Sequence, residues 1–526
     1  MEEKRGSFGS NFGFLMAAIG SAVGLGNIWG FPYKMGMNGG FAFLLVYLLL
    51  AIFIGLAVML GELAIGRKTG LSPVEAYKTF AKKHAWLGFI GVASGFLILC
   101  FYLVLGGMVT RYALGYLTAL FGWNTWGLEG ADIGKFFEHF ICNSPMMMLY
   151  FVIFALANAF IVAAGVGEGL EKFCKIGMPA LFVILLVVLI YVAIQPGAGD
   201  GYKFMFGLEN AGLLKTDFFG VLKVAAGQMF FSLSLGMGAM ITYGSYLNKK
   251  EDLQKNAGII VFCDTLIAVM AGMVVMPACY AFGVEPTKGP GLLFNAMQVV
   301  FYNMGGFIGN LMGFLFYALV FIAAISSSIS LLECCASYKI DKNIAKGKAP
   351  GRKKTAYVYT LIILVLGSTV AFDGLGSGRA EGALLDPPAR LFGFEYAEAG
   401  DIDGFAEDTA YYVLDGESYV QVAEDAEFDA NATYYINNVK TWSADWLDFF
   451  DMLSEGILMP LGALVMSILI GWVWKIDVVK NEIAESGHKM WGRGFFNLCY
   501  KFITPVGLVF VLLAQLNDFF NLGIFH

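Results

Sequence analysis

Two glycine-rich runs hold most of the residues that could do chemistry. One reads Gly20-Ser21-Ala22-Val23-Gly24-Leu25-Gly26-Asn27, the other Ser232-Leu233-Ser234-Leu235-Gly236-Met237-Gly238. Glycine inside a helix costs about 1 kcal/mol relative to alanine, so clustered glycines invite a helix to unwind. An unwound helix offers free N–H groups where its second half begins, with roughly half a positive charge, which suits a carboxylate. It offers free carbonyls where its first half ends, which suit a hard cation such as Na⁺. Ser326-Ser327-Ser328 adds hydroxyl oxygens, and Asp264 sits amid Val261-Phe262-Cys263 and Leu266-Ile267-Ala268. A carboxylate in such surroundings is costly unless a cation pairs with it or a proton neutralises it. Blander roles stay open for each group. Small-residue runs also let helices pack closely, and serines can bond back to their own helix.

The elements that must position these residues follow from composition. Of 526 residues, 58% are hydrophobic and only 14% charged. A soluble domain keeps roughly 25% charged residues, so lipid is the implied solvent. Spanning its ~30 Å hydrocarbon core takes about 20 apolar residues as a helix. Eleven stretches qualify: 11–35, 41–66, 87–121, 145–164, 177–195, 217–247, 256–283, 306–338, 355–372, 447–474 and 496–522. They are separate and continuous, as in helices rather than barrel strands. The first is too long for a cleavable signal and is followed by the others. With the N-terminus in the cytoplasm, 24 of the 34 Lys and Arg fall on the inner side, as the positive-inside rule asks. An odd helix count then leaves the C-terminus extracellular.

The glycine-rich breaks fall in helices 1 and 6, five helices apart. Matching interruptions in two halves point to inverted repeats with a site at the midplane. The fold class is therefore an all-α integral membrane protein with eleven transmembrane helices: two inverted five-helix repeats plus one extra helix. Residues 1–200 form the first repeat, 201–475 the second, and 476–526 a cytoplasmic linker with helix 11. Between helices 9 and 10, residues 374–446 carry 15 acidic against three basic residues. This extracellular inset reads as a solvated spacer, with a small β-hairpin over 410–436 around the turn-prone Asp415-Gly416. The eight cysteines mostly lie in apolar stretches with no zinc-ligand spacing, and all four histidines lie outside the spans. No nucleophile–base pair or metal cluster argues for an enzyme, and nothing points to nucleic acid.

The run Ala22 to Trp29, with Phe31-Pro32-Tyr33 and Asn38-Gly39-Gly40 after it, resembles the first helix of the neurotransmitter:sodium symporter family. Gly227-Gln228 through Gly238 resembles the family's sixth helix, and Ser326 to Ile329 its eighth. The resemblance implies two sodium sites. The first would use the Ala22 carbonyl, the Asn27 side chain, Ser232 and Asp264, with the substrate carboxylate. The second would use the Gly20, Val23 and Ala323 carbonyls and the Ser326 and Ser327 hydroxyls. It implies a substrate pocket at Ala22, Gly24, Gly26, Ile98, Tyr102, Phe231, Ser232, Ser234, Met237, Ser327 and Leu331. Tyr102 would donate to the substrate carboxylate, and the Phe231 and Ser234 backbone would accept from the amine. Ile98, Phe231, Met237 and Leu331 favour an apolar side chain, and methionine adapts to varied shapes. Many family members have Asn where this chain has Asp264 and need chloride nearby. A fixed carboxylate implies chloride independence, with proton uptake by Asp264 on the return step.

The resemblance also implies two gates. Inside, Arg5 should pair with Asp341 beside Tyr246. Gly169 and Pro179, with nine residues between them, match an element that lets helix 5 unwind. Glu62 matches a position that holds the broken helices through backbone N–H groups. Outside, Gly30 stands where the family has Arg, while the partner position, Asp451, is kept. Lys34, one turn on, is the candidate replacement cation, reaching Asp451 directly or through water, and Gly30 would widen the vestibule floor. The expectation is sodium-coupled import of a hydrophobic or aromatic amino acid by alternating access, in a bacterial plasma membrane. The alternative is a membrane sensor that binds the amino acid without transporting it.

Overall fold

Backbone polar groups in lipid must be satisfied within the chain, and uninterrupted apolar runs do this as helices. The computed structural model describes residues 6–127, 133, 135–285, 290–375, 385, 388–392, 396–400, 404–405, 411–415, 418–422, 428–429, 432–437 and 441–520. Among these, nine helices are long and apolar enough to cross a membrane: Phe41–Thr69, Lys82–Leu120, Ser144–Ala164, Val166–Ala193, Leu253–Phe282, Gly306–Ile344, Arg352–Phe372, Trp446–Val473 and Arg493–Asn517. A tenth is the pair Asn11–Ala22 and Gly26–Met37, bent by 51° at its break. The eleventh expected stretch, 217–247, consists of two helices, Phe218–Ser232 and Ala239–Ser245, too short to span singly. Both interruptions thus fall at the glycine-rich runs.

The surface is the reverse of a soluble protein's. Phe160, Ile176 and Val365 are more than 60% exposed, as residues facing lipid should be. Ser21, Asn27, Glu62 and Asp264 are buried. Gly306–Ile344 packs along Lys82–Leu120, and Asn11–Ala22 lies against Gly306–Ile344 and Val166–Ala193. The long helices form a frame, and the two broken ones run through its centre.

The acidic inset holds more order than a hairpin. Strands β1 (Tyr396–Glu398), β2 (Tyr411–Asp415), β3 (Ser418–Gln421) and β4 (Tyr435–Asn437) form an antiparallel sheet in the order β1-β4-β2-β3. The expected hairpin is β2–β3, with Val413 opposite Val420 and Asp415 opposite Ser418. Phe405 packs against Tyr411 and meets Phe428 and Tyr434 edge to face. These aromatics account for the extra strands, since charge alone would have left the segment solvated.

Candidate functional site

The first helix begins on a Ser10 cap, whose hydroxyl accepts from Gly13 N at 3.0 Å. It runs to Ala22, turns extended at Val23 and resumes at Gly26. The sixth stops at Ser232 and resumes at Ala239. Between these, Ser234, Gly236 and Gly238 take φ of 53°, 80° and 74°. Glycine adopts such φ freely, and at Gly236 an added Cβ would lie 2.2 Å from Met459 O. Glu62 accepts from Gly236 N at 2.6 Å and so anchors the unwound segment. The two breaks are tied together by Ser234 Oγ, which donates to Ser21 O at 2.8 Å.

Around the first break, Leu25 N donates to Tyr102 OH at 2.9 Å and Gly24 N to Asn27 Oδ1 at 3.0 Å. A Cβ at Gly24 would lie 2.6 Å from Tyr102 OH, and one at Gly26 would lie 2.5 Å from Phe231. These glycines let the backbone approach the pocket wall. A narrow, tightly closed pocket lies between the breaks. It brings together Ala22, Gly24, Gly26, Ile98, Tyr102, Phe231, Ser234, Met237, Ser327 and Leu331. Of the eleven substrate positions named from the sequence, only Ser232 is not in its lining. That hydroxyl turns away, donating to Asp264 Oδ2 at 2.8 Å.

Behind the pocket lies a buried cluster of hard oxygens. Asn27 Nδ2 reaches Asp264 Oδ1 at 2.7 Å and Ser232 Oγ at 3.0 Å. Tyr47 OH donates to Ser232 Oγ at 3.1 Å. Sequence reasoning missed Tyr47, which lies on a different helix with no local signal to mark it. The second proposed cation set is also assembled in part. A Cβ on Gly20 would lie 3.0 Å from Ser326 Cβ, and Ser326 Oγ donates to Ala323 O at 3.1 Å. Val23 and Ser327 are buried close by.

The gates depart further from expectation. Arg5 lies outside the described residues. Asp341 accepts from Ser72 N at 2.6 Å. Tyr246 OH donates to Glu333 Oε1 at 2.6 Å, and Arg352 Nη1 reaches Glu333 Oε2 at 2.6 Å. Glu333 and Arg352 were not foreseen as gate residues. Phe8 seals the same end, with its ring 5.6 Å from Tyr243 and 6.1 Å from Tyr246.

At the outer end Lys34 meets Glu455 as well as the field of Asp451. Lys34 Nζ lies 3.9 Å from Glu455 Oε2, and the Asp451 carboxyl lies beside the pair. Glu455 is four residues beyond Asp451 on the same helix face and one methylene longer, so it reaches the lysine first. Nor does Gly30 leave the floor open. Gln228 Oε1 lies 3.0 Å from where a Gly30 Cβ would sit, while Gln228 Nε2 donates to Gly26 O at 2.8 Å.

Known proteins share this architecture. The model of the sodium:neurotransmitter symporter family matches residues 5–130 and 135–377. An uncharacterized sodium-dependent transporter of Bacillus subtilis, YhdH, is 36% identical over 97% of this chain and 98% of its own. An uncharacterized sodium-dependent transporter of Haemophilus influenzae is 29% identical over 98% and 99%. The crystal structure of MhsT in complex with L-phenylalanine superposes with a TM-score of 0.76 at 33% identity, over 97% of this chain and all of that one. Two broken helices, a multi-pass apolar frame and relatives along nearly the whole length agree: the chain belongs to the sodium:neurotransmitter symporter family, whose members are sodium-dependent membrane transporters and not enzymes.

Proposed function

We propose that the chain imports a hydrophobic or aromatic amino acid with two sodium ions by alternating access. The observation that carries this reading is the pocket between the two breaks. One side of it presents Tyr102 and the start of the second half of helix 1, which suit a carboxylate. The opposite side presents the Phe231 and Ser234 backbone, which suits an amine. Ile98, Phe231, Met237 and Leu331 leave only apolar surface for the side chain. That a related transporter was crystallised with L-phenylalanine supports the same substrate class.

Sodium enters as co-substrate. Asn27, Ser232, Asp264 and the Ala22 carbonyl would hold one ion beside the amino-acid carboxylate. Gly20, Val23, Ala323, Ser326 and Ser327 would hold the other. Binding couples the gradients only if it favours one arrangement of the gates over the other. Transport is proposed to be chloride-independent, because the Tyr47 and Ser232 hydroxyls already converge on the fixed Asp264 carboxylate. The placement is a plasma membrane, N-terminus cytoplasmic and C-terminus extracellular, with inverted repeats over 1–200 and 201–475.

The test is binding of labelled phenylalanine, leucine, tryptophan and tyrosine to purified protein in Na⁺ and then in K⁺. Saturable binding in Na⁺ alone supports the reading; equal binding in both salts, or none, contradicts it. Gly30 in place of a gate arginine favours one second reading, a sensor that binds without transporting. Such a protein would pass the binding test and fail to concentrate substrate in vesicles.

A further inference from the structure

At the end of the bundle opposite the acidic inset, a second cavity opens between the spans Trp446–Val473 and Arg493–Asn517. It holds about 460 Å³ and is open to the outside. Its charged lining is Lys475, Arg493 and Lys501 against Asp477 alone, a net of two positive charges. Arg493 Nη2 lies 3.0 Å from Asp477 Oδ1. Among the described residues Lys475 and Lys501 have no acidic partner, and Lys501 Nζ lies 5.3 Å from the centre of the Trp472 ring. Trp472 Nε1 donates to Lys501 O at 3.2 Å, which fixes the two spans to each other at the cavity mouth.

The cavity lies on the lysine-rich side of the protein. Arg67 and Lys249, from two other connections on that side, both bond Glu482 in the linker next to it, at 2.8 and 2.9 Å. Below the mouth the surface turns apolar: Val473, Phe502 and Val506 are more than half exposed. A tryptophan at the rim marks the level of lipid headgroups. A basic pocket above an apolar face matches a molecule with an anionic head and hydrocarbon tails.

We propose that this cavity binds an anionic glycerophospholipid from the adjacent leaflet. Lys475 and Lys501 hold the phosphate, Asn497 faces the glycerol oxygens, and the acyl chains lie along Val473, Phe502 and Val506. The site is separate from the amino-acid pocket and uses none of its residues. Asp477 acts against the ligand, since it neutralises Arg493 and repels a phosphate.

Native mass spectrometry of the full chain, with phosphatidylglycerol or phosphatidylcholine added, tests this. Phosphatidylglycerol is expected to be retained and phosphatidylcholine lost; equal retention overturns the proposal. A lysine near the membrane surface is worth about five-fold in anionic-lipid affinity. The double variant Lys475→Asn/Lys501→Gln should therefore lose about 25-fold. Asparagine is chosen because Lys475 has φ of 59°, which asparagine tolerates. Asp477→Asn should gain about five-fold by freeing Arg493, and it stays informative if the double variant fails to fold. Wild-type retention in the double variant, or no gain in Asp477→Asn, overturns the site. Glycerol 3-phosphate competing as well as the lipid at equal concentration shows a soluble-phosphate site and overturns the lipid assignment.

Discussion

At the lysine-rich end of the bundle, Glu333 takes Tyr246 OH and Arg352 Nη1 at 2.6 Å each, and Phe8 packs a ring across the same gap. At the inset end, Lys34 reaches Glu455 only at 3.9 Å, with Asp451 alongside. The two cations are about equally exposed, Arg352 at 16% and Lys34 at 18%, so the gates differ in the length of the pair and in the added Tyr246 hydrogen bond. A short ion pair with an added hydrogen bond is strongly coupled, while a pair stretched to almost 4 Å contributes less. The difference teaches that this conformation is held shut on the lysine-rich side and closed only lightly on the other.

Breaking the heavy gate should have the largest effect. Glu333→Gln removes the counter-charge that Arg352 meets there, a loss of about 3 kcal/mol for a buried pair. Cys174 is buried 3.3 Å from where a Gly20 Cβ would sit, so its alkylation, read by mass spectrometry, reports inner opening. Labelling should rise more than about ten-fold; an unchanged rate would show that Glu333 does not hold the gate.

The pocket between the gates comes next. Tyr102→Phe removes the acceptor for Leu25 N and the donor for the substrate carboxylate. An unmade buried hydrogen bond costs about 1–3 kcal/mol, so amino-acid affinity should fall roughly 10- to 100-fold. Equilibrium binding in Na⁺ checks this, and wild-type affinity would remove Tyr102 from the site.

The light gate should give the smallest effect. Lys34→Ala breaks a pair worth about 1 kcal/mol or less, so bound substrate should leave no more than about five-fold faster, with Cys174 labelling unchanged. A larger effect would make the two gates comparable. Replacing chloride with gluconate should change neither binding nor release. A sharp fall would show that Asp264 does not supply the negative charge.

The same contrast bears on what could be read from the chain. Both breaks were legible because glycines and small polar residues, clustered in an otherwise apolar run, weaken a helix at that point. The pocket lining was legible because a motif match carries positions along with it. The part of Glu455 at the outer end was not, because Asp451 and Glu455 share a helix face and only the path of the Lys34 side chain brings it to both. Gln228 beside Gly30, and Tyr47 beside Ser232, were also hidden. Each contact joins two helices whose relative rotation no local pattern records. Strands β1 and β4 have three residues each, too short for alternation to show.

Uptake into vesicles tests transport most directly. Protein reconstituted into K⁺-loaded vesicles should concentrate labelled phenylalanine above the outside level when Na⁺ is added outside. It should not do so when K⁺ is on both sides. Sodium-dependent binding without concentrative uptake would contradict transport and favour a sensor.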